Sequence, residues 1–306
     1  FINRVKESEY RGKLQYGTFT LNTGMSTLEM IEVLAGSGQE AVWQTLTVPE
    51  GYSVEMIGAR LEEQGICTSG EFLAALNKED YDYDFLKTIP DNNNLKYDLQ
   101  GFLFPATYNI TESDTPADIV NKMLAKFNEI YTAEYKSKEQ ELGYTTFEVV
   151  NRAAIVEREA KLEEERATIA GVINNRLAID MKLQMCPTVL YPLTNGMYDV
   201  AQVTYADLEI DSPYNTYMYP GLTVGPICNP GAASLYAVLN PETHDYLYYH
   251  TDDATVGNHI FSKTYEEHQS TLQTGGETGE GTVTNDGVVE SGGGENITEP
   301  ATTTAE

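Results

Sequence analysis

The sequence predicts an α+β protein, mainly helical with a small sheet, and three observations carry that prediction. Helix-forming stretches opened by Ser or Thr caps recur along the chain, short β-branched and aromatic runs stand between and after them, and Gly, Pro and Asn collect in two late stretches that suit neither element. With 306 residues the chain has ample length for one large or two modest domains with a real core.

The first 80 residues contain a weak internal echo. Gly24–Ile31 resembles Gly51–Ile57, each is preceded by a strand-like piece (Gly17–Leu21 and Trp43–Val48), and each continues as an amphipathic helix, so two short strand-plus-helix units are expected. Ser26 with Glu29 makes a capping box, in which side chain and backbone satisfy each other's open amides. Thr68–Glu71 starts a further helix into Phe72–Leu76, and Asp91–Asn94 is a polar loop. An aromatic element follows at Leu99–Tyr108. Thr115 and Pro116 then open a helix with Pro at its first position, running through Met123 and Phe127 to about Tyr135.

The stretch Thr145–Tyr191 organises the rest. Thr145 and Glu148 form another capping box, and the residues after them are strong helix formers with no Pro and one Gly, Gly171, so two helices or one kinked helix run to about Met181. Leu183–Tyr191, apolar and β-branched with Pro187 inside it, reads as a loop and strand. Asp211–Tyr217 and Gly221–Gly231 are loops, Ala232–Leu239 is a helix, and Asp245–His250 with His259–Ser262 is a hairpin around Gly257. Thr264 and Glu267 cap one last helix. From Thr274 the composition turns to Gly, Thr and Glu without Lys, Arg or aromatics, which predicts a disordered acidic tail over 274–306.

Charge and cysteine usage exclude several classes. Lys plus Arg number 19 against 47 Asp plus Glu, a net charge of −28, which repels phosphate backbones and anionic lipid surfaces. No apolar run reaches the roughly 18 to 20 residues that span a bilayer. Three cysteines and four histidines show neither a disulfide framework nor metal-ligand spacing, so no metal or other cofactor is expected. There is no G-x-S-x-G elbow either.

Glu157 and Glu159 are the candidate acid/base groups. They sit late in the first central helix beside Ala153–Val156, and two residues is about 200° of helical rotation, so at most one faces a buried cleft. A Glu held against an apolar wall can titrate at about 6–7 and protonate a leaving oxygen. Periodicity does not say which of the two it is. Both are also readable as surface charges, like Glu163–Glu165.

The ordered set AAIVEREA, INNRL, LQMCPTVLY, SPYNTY and GLTVGPICNPGAASL resembles the YceG-like, or MltG-type, endolytic murein transglycosylases, membrane-anchored enzymes that cut peptidoglycan strands. The resemblance reaches to about residue 270. It implies that Glu159, the second Glu of the E-x-E pair, is the single acid/base, and that cleavage of the bond between N-acetylmuramic acid and N-acetylglucosamine leaves a 1,6-anhydro end. Gln184, Thr188, Tyr191, Tyr214, Asn215, Thr216, Tyr217 and Asn229 are then the expected strand-holding residues. Tyr rings suit sugar faces, and Asn and Gln offer paired donors and acceptors. The element around Phe102 departs from the family's E-G-x-L-F-P-D-T-Y, with Gln100 and Ala106 in place of acidic residues.

The resemblance further implies a LysM-like module over residues 1–80, truncated at its start, that binds glycan or acts as a spacer, ahead of a catalytic domain over 81–273. A chain beginning with Phe fits an ectodomain on the outer face of the bacterial cytoplasmic membrane whose anchor precedes it. Glycan strands are the expected partner, with cell-wall synthases (penicillin-binding proteins) as a second. Cys186, where the family often has Asp, and Cys228 lie in two cleft loops and are expected to approach and form a disulfide, leaving Cys67 free. Two alternatives stay open: a two-carboxylate hydrolase drawing on Asp207, Glu209 or Asp211, since such enzymes need carboxylates roughly 5–9.5 Å apart, and a non-catalytic wall-binding scaffold.

Overall fold

The computed structural model describes residues 1–15, 19, 21, 24–36, 44–200, 203–252, 258–272 and 282–283. The helices α1 (Ile2–Glu7) and α2 (Thr27–Ala35) come first, followed by β1 (Gln44–Thr47), α3 (Val54–Glu63) and α4 (Ser69–Ala74). After an irregular stretch come β2 (Thr107–Ile110), α5 (Pro116–Ile130), α6 (Ala133–Leu142), α7 (Thr146–Glu159), α8 (Arg166–Ala178) and α9 (Pro187–Leu193). The chain continues as β3 (Val203–Thr204), α10 (Ala232–Leu239), β4 (Tyr248–Thr251), β5 (His259–Ser262), α11 (Tyr265–Leu272) and β6 (Thr282–Val283). The capping boxes expected at Ser26 and Thr145 are formed, and the helix starts read at Thr68 and Thr115 are capping boxes too, closed by Glu71 and Asp118.

At the centre lies α7, buried at Thr146, Phe147, Val149–Val156 and Glu159. With burial on nearly every side despite Asn151, Arg152 and Glu159, α7 lies inside the core, packed against α6, α8, α9 and α10. Its small residues Ala153 and Ala154 are fully buried. One continuous apolar cluster joins the helix to Leu46, Ile57 and Phe72 of the first 80 residues and to Leu235 and Tyr249 near the other end.

The expected small sheet is three separate antiparallel two-stranded ladders among the described residues. In the first, β1 pairs with β2 from Gln44↔Ile110 to Thr47↔Thr107. In the second, Val203–Thr204 pairs with Thr282–Val283, two residues within the stretch expected to be a tail. In the third, β4 and β5 form the hairpin read from the sequence. Most of Gly17–Leu21, with Trp43, Gly257 and the rest of 273–306, lies outside the described residues.

Three boundaries differ from the sequence reading. First, α5 ends at Ile130, because Tyr131 turns inward, stacks on Phe127 at 5.3 Å and donates its hydroxyl to Glu139 at 2.6 Å, after which α6 begins afresh. Second, the central pair breaks at Ala160 and not at Gly171. Gly171 sits within α8 because a Cβ there would lie 2.5 Å from the Glu242 carbonyl oxygen and the His244 ring. Third, Pro187–Leu193 is a helix and not a strand. Pro187 stands near its start, where a missing N–H costs nothing, and the Cys186 carbonyl accepts from the Val189 and Leu190 amides.

Candidate active site

Glu159 is the last residue of α7 and is 2 % exposed. Its Oε2 accepts a hydrogen bond from the Tyr249 hydroxyl at 2.9 Å. Burial and the negative end of a helix dipole both favour a protonated carboxyl, whereas a hydroxyl donor and a nearby cation favour the carboxylate. Arg176 of α8 is a cation in electrostatic reach of Glu159, and the Tyr217 phenol is in reach as well. Burial pushes the Arg176 guanidinium down from its ordinary value, an effect opposed by Tyr249, Tyr248, Tyr217 and Glu159. Burial likewise pushes the Tyr217 phenol well up, reinforced by Cys186 and Glu159.

Arg176 also builds the walls. Its Nε donates to the Leu247 carbonyl at 2.5 Å and its Nη1 to the Leu183 carbonyl at 2.6 Å, tying α8 to the approach of β4 on one side and to the 182–186 loop on the other. That loop is fastened to the next wall by the Gln184 amide donating to the Thr216 carbonyl at 3.2 Å and by Lys182 Nζ donating to the Tyr217 carbonyl at 3.0 Å. Gln184 has φ +50°, a left-handed backbone uncommon for a residue with a side chain, and it is exposed.

The other expected strand-holding residues are distributed unequally. Thr188 and Thr216 are buried with their hydroxyls 2.8 Å apart, and Thr188 also donates to the Met185 carbonyl. Asn215 is fully buried and spends its amide on the Leu208 and Ile210 carbonyls at 2.8 and 2.9 Å. Tyr191 and Tyr214 are buried edge to face at 4.9 Å, with Lys96 Nζ 5.3 Å from the centre of the Tyr191 ring. Asn229, also fully buried, accepts at Oδ1 from the Gly101 and Leu103 amides, both at 2.9 Å, and donates from Nδ2 to the Tyr52 carbonyl at 2.9 Å. It therefore locks the aromatic turn to the start of α3. Gly101 is required there, with φ +95° and space closed by Val150 and Pro226 2.6 to 2.7 Å from where a Cβ would stand.

Glu157 points elsewhere. Its Oε2 accepts from the Gly231 amide at 3.0 Å and the Ser234 hydroxyl at 2.7 Å, while Arg166 lies 3.4 Å from Oε1, so it caps α10. Of the acids flanking the SPYNTY loop, Asp207 caps its own turn at Thr204, Asp211 accepts from Tyr219, and Glu209 is exposed. The expected disulfide does not form: Cys186 Sγ lies 3.2 Å from the Tyr217 hydroxyl, Cys228 Sγ 3.3 Å from the Ala154 carbonyl, and the two belong to separate apolar clusters. Among the described residues no group of three or more His, Cys, Asp or Glu is placed to hold a metal. A concavity of about 490 Å³ at Lys78–Asp91 contains none of these site residues.

Sequence reasoning missed Arg176 and Tyr249. Arg176 had a signal, since Ile169, Ile173 and Arg176 fall at helical spacing on one buried face. Tyr249 had none, because neighbouring Tyr248 and His250 leave the facing of the strand undecided.

The fold is mainly helical α+β, and Glu159 is buried in it with the Tyr249 hydroxyl on its carboxyl group. The profile of the YceG-like family matches residues 1–274, and the chain belongs to that family. It is 36% identical over 269 residues to the endolytic murein transglycosylase of Bacillus subtilis (strain 168), covering 85% of this chain and 73% of that protein. It is 33% identical over 277 residues to the enzyme of the same name from Streptococcus pneumoniae (strain ATCC BAA-255 / R6), covering 83% of this chain and 49% of the longer relative. A crystal structure of a YceG-like protein from Listeria monocytogenes superposes with a TM-score of 0.66 at 33% identity, covering 87% of this chain and 88% of the other.

Proposed function

We propose that this protein is an endolytic lytic transglycosylase of peptidoglycan, with Glu159 as its single acid/base. The observation that carries the reading is the division of labour on α7: Glu157 is consumed in capping α10, while Glu159 is buried with the Tyr249 hydroxyl on its carboxyl group. Family membership and relatives named for this activity support it.

In the proposed reaction the Glu159 carboxyl gives its proton to the oxygen linking N-acetylmuramic acid to N-acetylglucosamine, and the C1–O bond breaks. The resulting carboxylate takes the proton of the muramic C6 hydroxyl as that oxygen bonds to C1. The anhydro ring closes, the acid is regenerated, and no water is consumed. Arg176, a buried cation fixed by backbone carbonyls within electrostatic reach of Glu159, favours the carboxylate between the two transfers. Gln184 and Tyr217 face the strand, while Thr188, Tyr191, Tyr214, Asn215, Thr216 and Asn229 hold the walls in place. The first 80 residues act as a LysM-like glycan-binding or spacing module, and the enzyme works at the outer face of the cytoplasmic membrane beside wall synthases.

The mass of the cut product tests the reaction. Attack by the C6 hydroxyl gives an internal cut whose new end is one water lighter than a hydrolytic end. A borohydride-reducible muramic acid end as the main product would replace this reading with a two-carboxylate hydrolase, and an uncut strand would leave a binding scaffold.

A further inference from the structure

The mechanism above leaves the β4–β5 hairpin without a task, yet the hairpin donates a hydrogen bond to Glu159 through the Tyr249 hydroxyl. Tyr249 lies on β4 opposite Phe261, and Thr251 lies opposite His259, so Tyr249 and His259 are diagonal neighbours on one face of the ladder. Their rings meet edge to face at 5.2 Å and 86°. His259 is itself fastened by a single carboxylate: its backbone amide donates to Glu165 Oε1 at 2.8 Å, and its Nδ1 lies 2.7 Å from Glu165 Oε2. Glu165 ends the short 3₁₀ turn that leads from α7 into α8. The contacts therefore close a ring from Glu159 along the chain to Glu165, across to His259, over to Tyr249 and back to Glu159.

We propose that Tyr249 is a positioning residue that fixes the Glu159 carboxyl and biases it toward the ionised form, with the Glu165–His259 pair holding the hairpin in register to do so. This rests on the reading of Glu159 as the acid/base. A group that must give a proton and then retrieve it works best when neither form dominates. Deep burial at a helix C-terminus pushes toward the protonated form, and the phenol hydroxyl opposes it through a hydrogen bond to the charged state. Charged or titratable groups within electrostatic reach of Glu159 include Arg176 from α8, which pulls in the same direction as Tyr249, and Tyr217 from the loop before α10.

The test is the pH profile of kcat/KM on purified glycan strands, whose descending limb reports loss of the proton from Glu159. In Tyr249→Phe, which keeps the ring and removes the hydroxyl, that limb moves to higher pH by about one unit, the usual weight of one hydrogen bond to a charged group. Site-specific replacement of Tyr249 by 3,5-difluorotyrosine, a stronger donor, moves the limb to lower pH. A merely structural role would change amount or melting temperature and leave the limb in place. Limbs unmoved in both variants overturn the proposal. Glu159→Gln, assayed alongside, separates the failures: if it still turns over, the assignment of Glu159 falls, whereas an inactive Glu159→Gln with unmoved limbs removes Tyr249 alone.

Discussion

Glu157 and Glu159 stand two residues apart on one helix and face opposite structures: Glu157 caps α10 through Gly231 and Ser234, and Glu159 meets the Tyr249 hydroxyl. The pair gives the first prediction. Glu159→Gln loses at least about 100-fold in turnover, the ordinary contribution of acid/base catalysis, with its melting temperature retained. Glu157→Ala loses stability instead, by roughly 2–3 kcal/mol, because the α10 amide and the Ser234 hydroxyl lose their acceptor inside the protein. Turnover and thermal unfolding of both variants check the assignment, and a swap of the two outcomes would reverse it.

Asn229→Ala is expected to destabilise by about 3–5 kcal/mol, since three backbone groups, the Gly101 and Leu103 amides and the Tyr52 carbonyl, lose a buried partner. Denaturant unfolding measures this directly. A variant of native stability with weakened strand binding would instead place Asn229 on the substrate.

Gln184→Gly separates the same two roles in the opposite sense. At φ +50° a glycine is the easier occupant, so the variant gains about 1 kcal/mol of stability. If the exposed side chain grips the strand, KM rises at the same time. Stability gained with unchanged kinetics would take Gln184 out of the site.

Thiol titration after unfolding without reductant is expected to give three groups per chain. In the native protein, half-buried Cys67 reacts first. Cys228 lags because burial pushes its thiol well up from the ordinary range and denies reagent access. Two missing thiols would restore the disulfide.

Glu50 supplies a pH dependence. Partial desolvation of this exposed side chain, and next the negative charge of Glu157, push its carboxyl up from the ordinary value, and its carboxylate lies against Gly231 at the start of α10. The folded protein then holds this proton to higher pH than the unfolded chain does, so this group's contribution falls as pH rises from about 4.3, the unfolded value, through the raised folded one. Glu50→Gln should accordingly raise the melting temperature near pH 7, with the gain vanishing below about pH 4. A gain that persists unchanged at acid pH would mean that charge is not its cause.

Local chemistry was legible in the sequence wherever the signal sits within a few residues. The capping boxes at Ser26 and Thr145, the helix starts at Thr68 and Thr115, the central helical pair, the loops at 211–231 and the β4–β5 hairpin all follow from caps, periodicity and turn residues. The resemblance of the quoted motifs also pointed to the YceG-like family and to Glu159. Tertiary structure decided whatever depends on partners distant in the chain. It ended α5 by drawing Tyr131 inward, and it made Pro187–Leu193 a helix although β-branched residues favour a strand. It assigned Glu157 to a helix end 74 residues away and brought Tyr249, 90 residues away, onto Glu159. It also kept Cys186 and Cys228 in different apolar clusters, where adjacency of their loops had suggested a bond. A side chain's role is set by which groups bury it, and a linear pattern specifies the face of an element without specifying what that face will meet.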